Sequence, residues 1–94
     1  MKAELLVRER LELGDGIFAE FVLWRVPEPV RGCKHSYKYR LALVENEICT
    51  LRYDNEAGKG DHRHEDGDEM SYAFTTVERL MADFLADIES RRQK

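Results

Sequence analysis

The side chains best suited to chemistry crowd into one stretch, Tyr53-Asp54-Asn55-Glu56-Ala57-Gly58-Lys59-Gly60-Asp61-His62-Arg63-His64, and nothing elsewhere in the chain is comparable. His62 and His64 stand two apart, so on an extended backbone both imidazoles point to one face while Asp61 and Arg63 point to the other. Histidine gives and takes protons near neutral pH, and lysine or arginine stabilises the charge of a pentacoordinate phosphate. These are the parts of a metal-independent ribonuclease, in which one imidazole deprotonates a 2′-hydroxyl and a second group protonates the leaving 5′-oxygen. In that reading His62 and His64 are proton donor and acceptor, and Lys59 and Arg63 hold the phosphate. Asp61, with Asp54, fixes an imidazole tautomer or the loop. Arg63 requires a twisted or looped backbone to join the histidines, and Arg52 or Arg40 from neighbouring strands can serve instead. Gly58 and Gly60 let backbone approach a substrate closely beside Asn55. Lys38 and Arg40, near Arg31 and Lys34, are placed to track a phosphate backbone.

Other readings compete. Gly58-Lys59-Gly60 lacks the length and the Ser/Thr of a nucleotide-binding P-loop, which excludes an NTPase of that kind. A charged hairpin with two histidines can be a solvated loop, since loops are rich in such residues. His-x-His can also be half of a zinc shell, with Asp61, His35 or Cys33 completing it, or part of a non-enzymatic module that binds nucleic acid or protein. The ribonuclease reading needs neither metal nor cofactor. Trp24, with Phe18 and Val22 on one strand face, reads as core rather than as a base-stacking platform. Tyr37, Tyr39 and Tyr53 read as cross-strand packing, and Lys38 with Arg40 by default as a solvated face.

The elements that must position this stretch are legible from periodicity. Leu5, Val7, Leu11 and Leu13 alternate with polar neighbours as a half-buried strand does, and Gly14-Asp15-Gly16 supplies a tight turn into a second strand over Ile17 to Val26. Pro27 and Pro29 end that strand, because proline cannot donate to a ladder. Tyr37 to Val44 alternates as a third strand. Glu45-Asn46-Glu47 turns the chain into a fourth, Ile48 to Asp54. Asp66-Gly67 joins two short runs, His62–Glu65 and Met70–Phe74, into a further hairpin. Val77, Leu80, Met81, Phe84, Leu85 and Ile88 share one face of a helix that must pack on the sheet. Thr75 and Glu78 have capping-box spacing, and Arg91, Arg92 and Lys94 suit the negative end of the helix dipole. The expected fold is α+β: an antiparallel meander of about four strands plus a short hairpin, covered by one C-terminal amphipathic helix, in a single domain over residues 1–94.

Bulk properties bound the function. A chain of 94 residues has room for one core. Two cysteines, Cys33 and Cys49, lack metal or redox spacing and are too few for a disulfide framework, which suits a reduced cytoplasmic setting. The amino-terminal residues lack the apolar core of a signal peptide, and no apolar run reaches the roughly 18 residues needed to cross a bilayer. The net charge of −4 argues against binding nucleic acid through the overall field. The charge is uneven, however. Arg25 to Arg40 carries Arg25, Arg31, Lys34, Lys38 and Arg40 against Glu28 alone, whereas Leu41 to Phe74 carries nine acids against three cations.

The block from Tyr53 to His64 resembles the signature of the TumE family, small proteins regarded as toxins of bacterial type II toxin–antitoxin systems. Trp24-Arg25-Val26-Pro27-Glu28-Pro29-Val30, Tyr37-Lys38-Tyr39-Arg40-Leu41 and Leu80-Met81-Ala82-Asp83-Phe84 are similar to the family's pattern in the same order. The resemblance implies a growth-arresting toxin and a cognate antitoxin encoded beside it, often a helix-turn-helix DNA-binding protein. In size, topology and its His/Lys/Arg cluster the chain also resembles messenger-cleaving toxins of the RelE kind, which makes RNA the expected substrate. Its acidic balance departs from their usual strongly basic character.

Overall fold

The computed structural model describes residues 2–92, so the expectation for Lys94 lies outside the described residues. Six strands run β1 (Glu4–Gly14), β2 (Ile17–Arg25), β3 (Tyr37–Glu45), β4 (Ile48–Asp54), β5 (His62–Glu65) and β6 (Asp68–Ser71), followed by helix α1 (Val77–Arg92). The strands form one antiparallel sheet in the order β1-β2-β3-β4-β5-β6, so each hairpin neighbour in sequence is a neighbour in space.

The turns are of the kind that two-residue hairpins demand. Asn46 and Glu47 adopt φ of 52° and 72°, and Asp66 and Gly67 adopt 49° and 91°, the left-handed pair whose twist matches the flanking strands. Because Asp66-Gly67 is a two-residue turn, β6 begins at once with Asp68 paired to Glu65. It therefore runs Asp68–Ser71, not Met70–Phe74 as periodicity alone suggests.

Alternation sends Ala19, Leu23, Tyr39, Leu41, Leu43, Leu51 and Tyr53 to one face, where they are buried with Leu80, Phe84 and Ile88 of α1. Phe84 meets Phe21 and Tyr53 edge-on, with ring centroids 5.4 and 5.6 Å apart. Val77 and Met81 pack at the margin of this core, whereas Leu85 is exposed. The helix is capped by Thr76, whose Oγ1 accepts from the Arg79 amide at 3.0 Å, one residue later than the Thr75–Glu78 spacing suggests.

β1 is a weaker strand than its pattern implies. Register shifts at Leu6 and Leu13 put Leu5 opposite Trp24 but Val7 opposite Leu23, so the apolar set is split between the two faces. Leu5, Leu6 and Leu11 are exposed, and Val7 and Leu13 alone pack on the core.

Candidate functional site on the open sheet face

α1 occupies one face of the sheet, and the histidines lie on the other. The cross-strand register sets Trp24 beside Lys38, Arg40 beside Asp54, Asp54 beside His62, Arg52 beside His64, and His64 beside Glu69. Directly opposed residues of an antiparallel pair share a face. His62, His64, Arg52, Arg40 and Lys38 are therefore brought together on one surface, as their spacing requires.

Both imidazoles are largely buried, with side chains 13% and 27% exposed, and their ring centroids are 6.2 Å apart. His62 Nδ1 lies 3.1 Å from the Gly60 carbonyl, and its Nε2 lies 3.4 Å from Glu69 Oε1. His64 sits between two carboxylates, with Nε2 3.8 Å from Asp54 Oδ1 and Nδ1 3.9 Å from Glu69 Oε2. Asp54 is held by Arg52, whose Nε is 2.9 Å from Oδ2. That approach lacks hydrogen-bond alignment, and Arg52 Nε and Asp54 Oδ1 are buried without a hydrogen-bond partner. Buried polar atoms are nearly always paired, so this cluster is under-satisfied as it stands.

Lys38 and Arg40 make no ion pair among the described residues. With Val22, Trp24, Arg52 and Glu56 they line a groove of about 400 Å³ on this face. Trp24 is thus not core, contrary to its apolar-strand reading: its neighbours on β2 with even numbers, Phe18 and Val22, share the face that α1 does not cover.

Three expected site residues go elsewhere. Arg63 faces α1, where its guanidinium donates to Asp87 at 2.8 Å and Glu65 at 2.8 Å; the Asp87 bond above all holds its pKa above the usual range. The strand is regular there, so nothing turns Arg63 towards the histidines. Asp61 lies on the core side and accepts from the Tyr39 hydroxyl at 2.6 Å, while His35 Nε2 lies 2.9 Å from the same oxygen. It does orient an imidazole, but that of His35. Lys59 stands in the exposed loop, 3.9 Å from Glu56.

The glycines build the loop, and Asn55, which also borders the groove, ties that loop to β3. The Gly58 amide donates to the Arg31 carbonyl at 2.7 Å. A Cβ on Gly32 would come within 2.9 Å of the Gly60 nitrogen, so the two loops touch backbone to backbone. Asn55 is 1% exposed; its Oδ1 accepts from the Tyr39 amide at 2.9 Å, and its Nδ2 donates to the Tyr37 carbonyl at 2.6 Å. It finishes the β3 edge where β4 stops.

The zinc alternative divides in the same way. Cys33, His35 and Asp61 do offer ligand atoms within 4.8 Å of one another. His62 and His64 are on the opposite face and cannot join them. The Tyr37 amide approaches His35 Nδ1 at 3.3 Å, which leaves the ring proton on Nε2, the atom that meets Asp61. Burial, and next the Asp61 charge, push the Cys33 thiol above its ordinary pKa. The cluster is hydrogen-bonded within itself, and His35 stacks on Phe74 with centroids 3.8 Å apart.

Glu69 was not among the residues that sequence pattern singled out. The signal was present, because a two-residue turn at Asp66-Gly67 forces His64 opposite Glu69.

No curated protein and no solved structure shows a significant match to this chain. The profile of the toxin TumE family matches residues 2–92, nearly the whole chain, and the protein belongs to that family.

Proposed function

We propose that this protein, the toxin component of a toxin–antitoxin pair by its family, acts as a metal-independent endoribonuclease on its open sheet face. The observation that carries the reading is that His62 and His64 share that face with Arg52, Arg40 and Lys38, on strands held in fixed register. His62 Nδ1 lies against the Gly60 carbonyl, which fixes the ring and leaves Nε2, 3.4 Å from Glu69, as the nitrogen that addresses the leaving oxygen. His64 stands 3.8 and 3.9 Å from its carboxylates, too far for tight hydrogen bonds, and serves as the base that takes the 2′-hydroxyl proton. Asp54 is its positioning residue. The 2′-oxygen attacks phosphorus, the bond to the 5′-oxygen breaks, and His62 protonates that oxygen, leaving a 2′,3′-cyclic phosphate. Arg52 and Arg40 replace Arg63 as the cations that neutralise the pentacoordinate phosphate.

The cognate antitoxin, for which we take a helix-turn-helix DNA-binding protein, neutralises by covering the His62–His64 edge or the β3 cations. Opposite charge there sets association rate and partner choice. Purified protein with labelled RNA in EDTA tests the chemistry. His62→Ala and His64→Ala should each slow cleavage by about 10²–10⁴-fold, with rates compared per folded molecule after circular dichroism melting of each variant. Undiminished cleavage in both variants removes the histidines from the mechanism. Growth arrest on expression, relieved by the co-expressed antitoxin, tests the biological assignment separately.

A further inference from the structure

Trp24 is the only tryptophan of the chain, and it stands on the open face of β2 beside Lys38 and Arg40, which form no ion pair among the described residues. The other aromatic of that face, Phe18, is already covered: the Arg10 guanidinium carbon lies 3.6 Å from its ring centroid. Trp24 has no such partner among the described residues. Its indole lines the groove of about 400 Å³ together with Lys38 and Arg40 from β3; at the far side Arg52 is paired with Asp54 at 2.9 Å, and Glu56 borders the opening. Trp24 is directly opposite Lys38, and Val22 directly opposite Arg40, so a flat apolar surface is flanked by two positive charges one strand away.

A ligand that uses both features must carry a π-face and an anion a few ångströms apart. We infer that the groove between Trp24 and Arg52 is a subsite for a nucleotide of single-stranded RNA, whose base stacks on Trp24 and whose phosphates meet Lys38 and Arg40. Aromatic side chains on an open sheet stack unpaired bases, whereas duplexes hide the base faces. The chain's net charge of −4 also fits a short local contact better than a long electrostatic track. The groove runs across the sheet towards the histidines. β2 and β5 are three strands apart, about 14 Å at the usual interstrand spacing, so a base on Trp24 belongs to a nucleotide beyond the scissile phosphate and sets where cleavage falls. This inference rests on the ribonuclease reading for the identity of the ligand, and it concerns binding alone.

Trp24 supplies its own probe. The experiment uses the full chain carrying His62→Ala and His64→Ala, so that RNA stays intact, titrated with a short single-stranded oligoribonucleotide. Tryptophan emission and the anisotropy of an end-labelled oligonucleotide are read together. The expected result is saturable quenching that tracks the anisotropy. Trp24→Phe should keep most of the affinity, and Trp24→Ala should lose about 5- to 150-fold by anisotropy, the range for one stacked base. Circular dichroism melting of both variants excludes loss of the fold as the cause. Anisotropy showing RNA bound while emission stays unchanged, or Trp24→Ala binding as tightly as the parent, overturns the subsite. Quenching by purified antitoxin but never by RNA also overturns it and makes the groove a protein-docking surface. Failure of the catalytic reading looks different: the unsubstituted protein would leave RNA uncut while Trp24 still reported binding, and the subsite would stand.

Discussion

On the helix side of the sheet Arg63 and Arg91 meet Asp87, Glu65, Glu45 and Asp66, whereas on the other side of the sheet Lys38 and Arg40 form no ion pair among the described residues. The aromatics divide likewise. Tyr53 donates to Asp87, Tyr72 donates to Asp83 at 2.6 Å and Tyr39 to Asp61, while Trp24 lies in a groove with no ring partner among the described residues. One face has spent its polar groups on itself. A cation already neutralised by two acids has little left for a phosphate, so side-chain type alone could not separate Arg63 from Arg40; the face each occupies does.

The largest effect expected from this division is on stability at the helix side. Phe84→Ala should cost about 3–5 kcal/mol in chemical denaturation, because a fully buried ring that fixes α1 against Phe21 and Tyr53 is lost to a cavity. A loss under 1 kcal/mol would mean that α1 is not what holds this face.

The tyrosines make the same face sensitive to alkali. Burial first, and then the carboxylate acceptor, raises the phenols of Tyr39, Tyr53 and Tyr72 well above their ordinary value near 10. Above about pH 10 the unfolded chain releases these protons and the folded chain keeps them, so the unfolded state binds fewer protons and stability falls as pH rises. Below about pH 10 their contribution is complete. The melting temperature should hold from pH 8 to 9.5 and then decline, with absorbance at 295 nm showing delayed tyrosinate formation until the sheet unfolds. Early ionisation of all four tyrosines without unfolding would break the account of a closed face.

A smaller loss is expected at Arg63. Arg63→Met should destabilise by about 1–3 kcal/mol, since it strips a charged donor from Asp87 and Glu65, and should leave the rate of RNA cleavage per folded molecule near that of the parent. A rate loss comparable to His62→Ala would return Arg63 to the site and contradict its placement under α1.

Much of this was readable beforehand for a simple reason: period-two alternation names a residue's face, and His62–His64 against Arg63 is such a pattern. The order of strands, the bounds of β4 and β5, and the core stripe of α1 follow from the same periodicities. What alternation cannot say is which face the helix will choose. Val22 and Trp24 carry apolar side chains as Leu23 does, and only the packing of α1 on Tyr39, Leu41 and Tyr53 distinguishes the open face from the core face. The imidazole that Asp61 orients is hidden for a related cause: its partners, Tyr39 and His35, come from 22 and 26 residues away, and no local spacing encodes them. The bulge at Leu6 likewise leaves no local signature, and it moves Leu5 across the sheet from Val7.

The smallest expected effect on stability is the most informative about the open face. Arg40 has no carboxylate to lose, so Arg40→Gln should change unfolding free energy by no more than about 0.5 kcal/mol, the scale of a surface substitution. Its consequence should appear in RNA binding instead. Each phosphate neutralised on a single strand contributes about 0.7 to the slope of log affinity against log salt, because counterions are released. Arg40→Gln and Lys38→Gln should each make that slope shallower by about this amount and weaken binding of unrelated sequences alike, since a phosphate contact carries no sequence information. Arg63→Gln, charged before substitution in the same way but committed to Asp87, should leave the slope unchanged. If instead Arg63→Gln flattens the salt dependence and Arg40→Gln destabilises the fold, the assignment of structure to one face and recognition to the other is reversed.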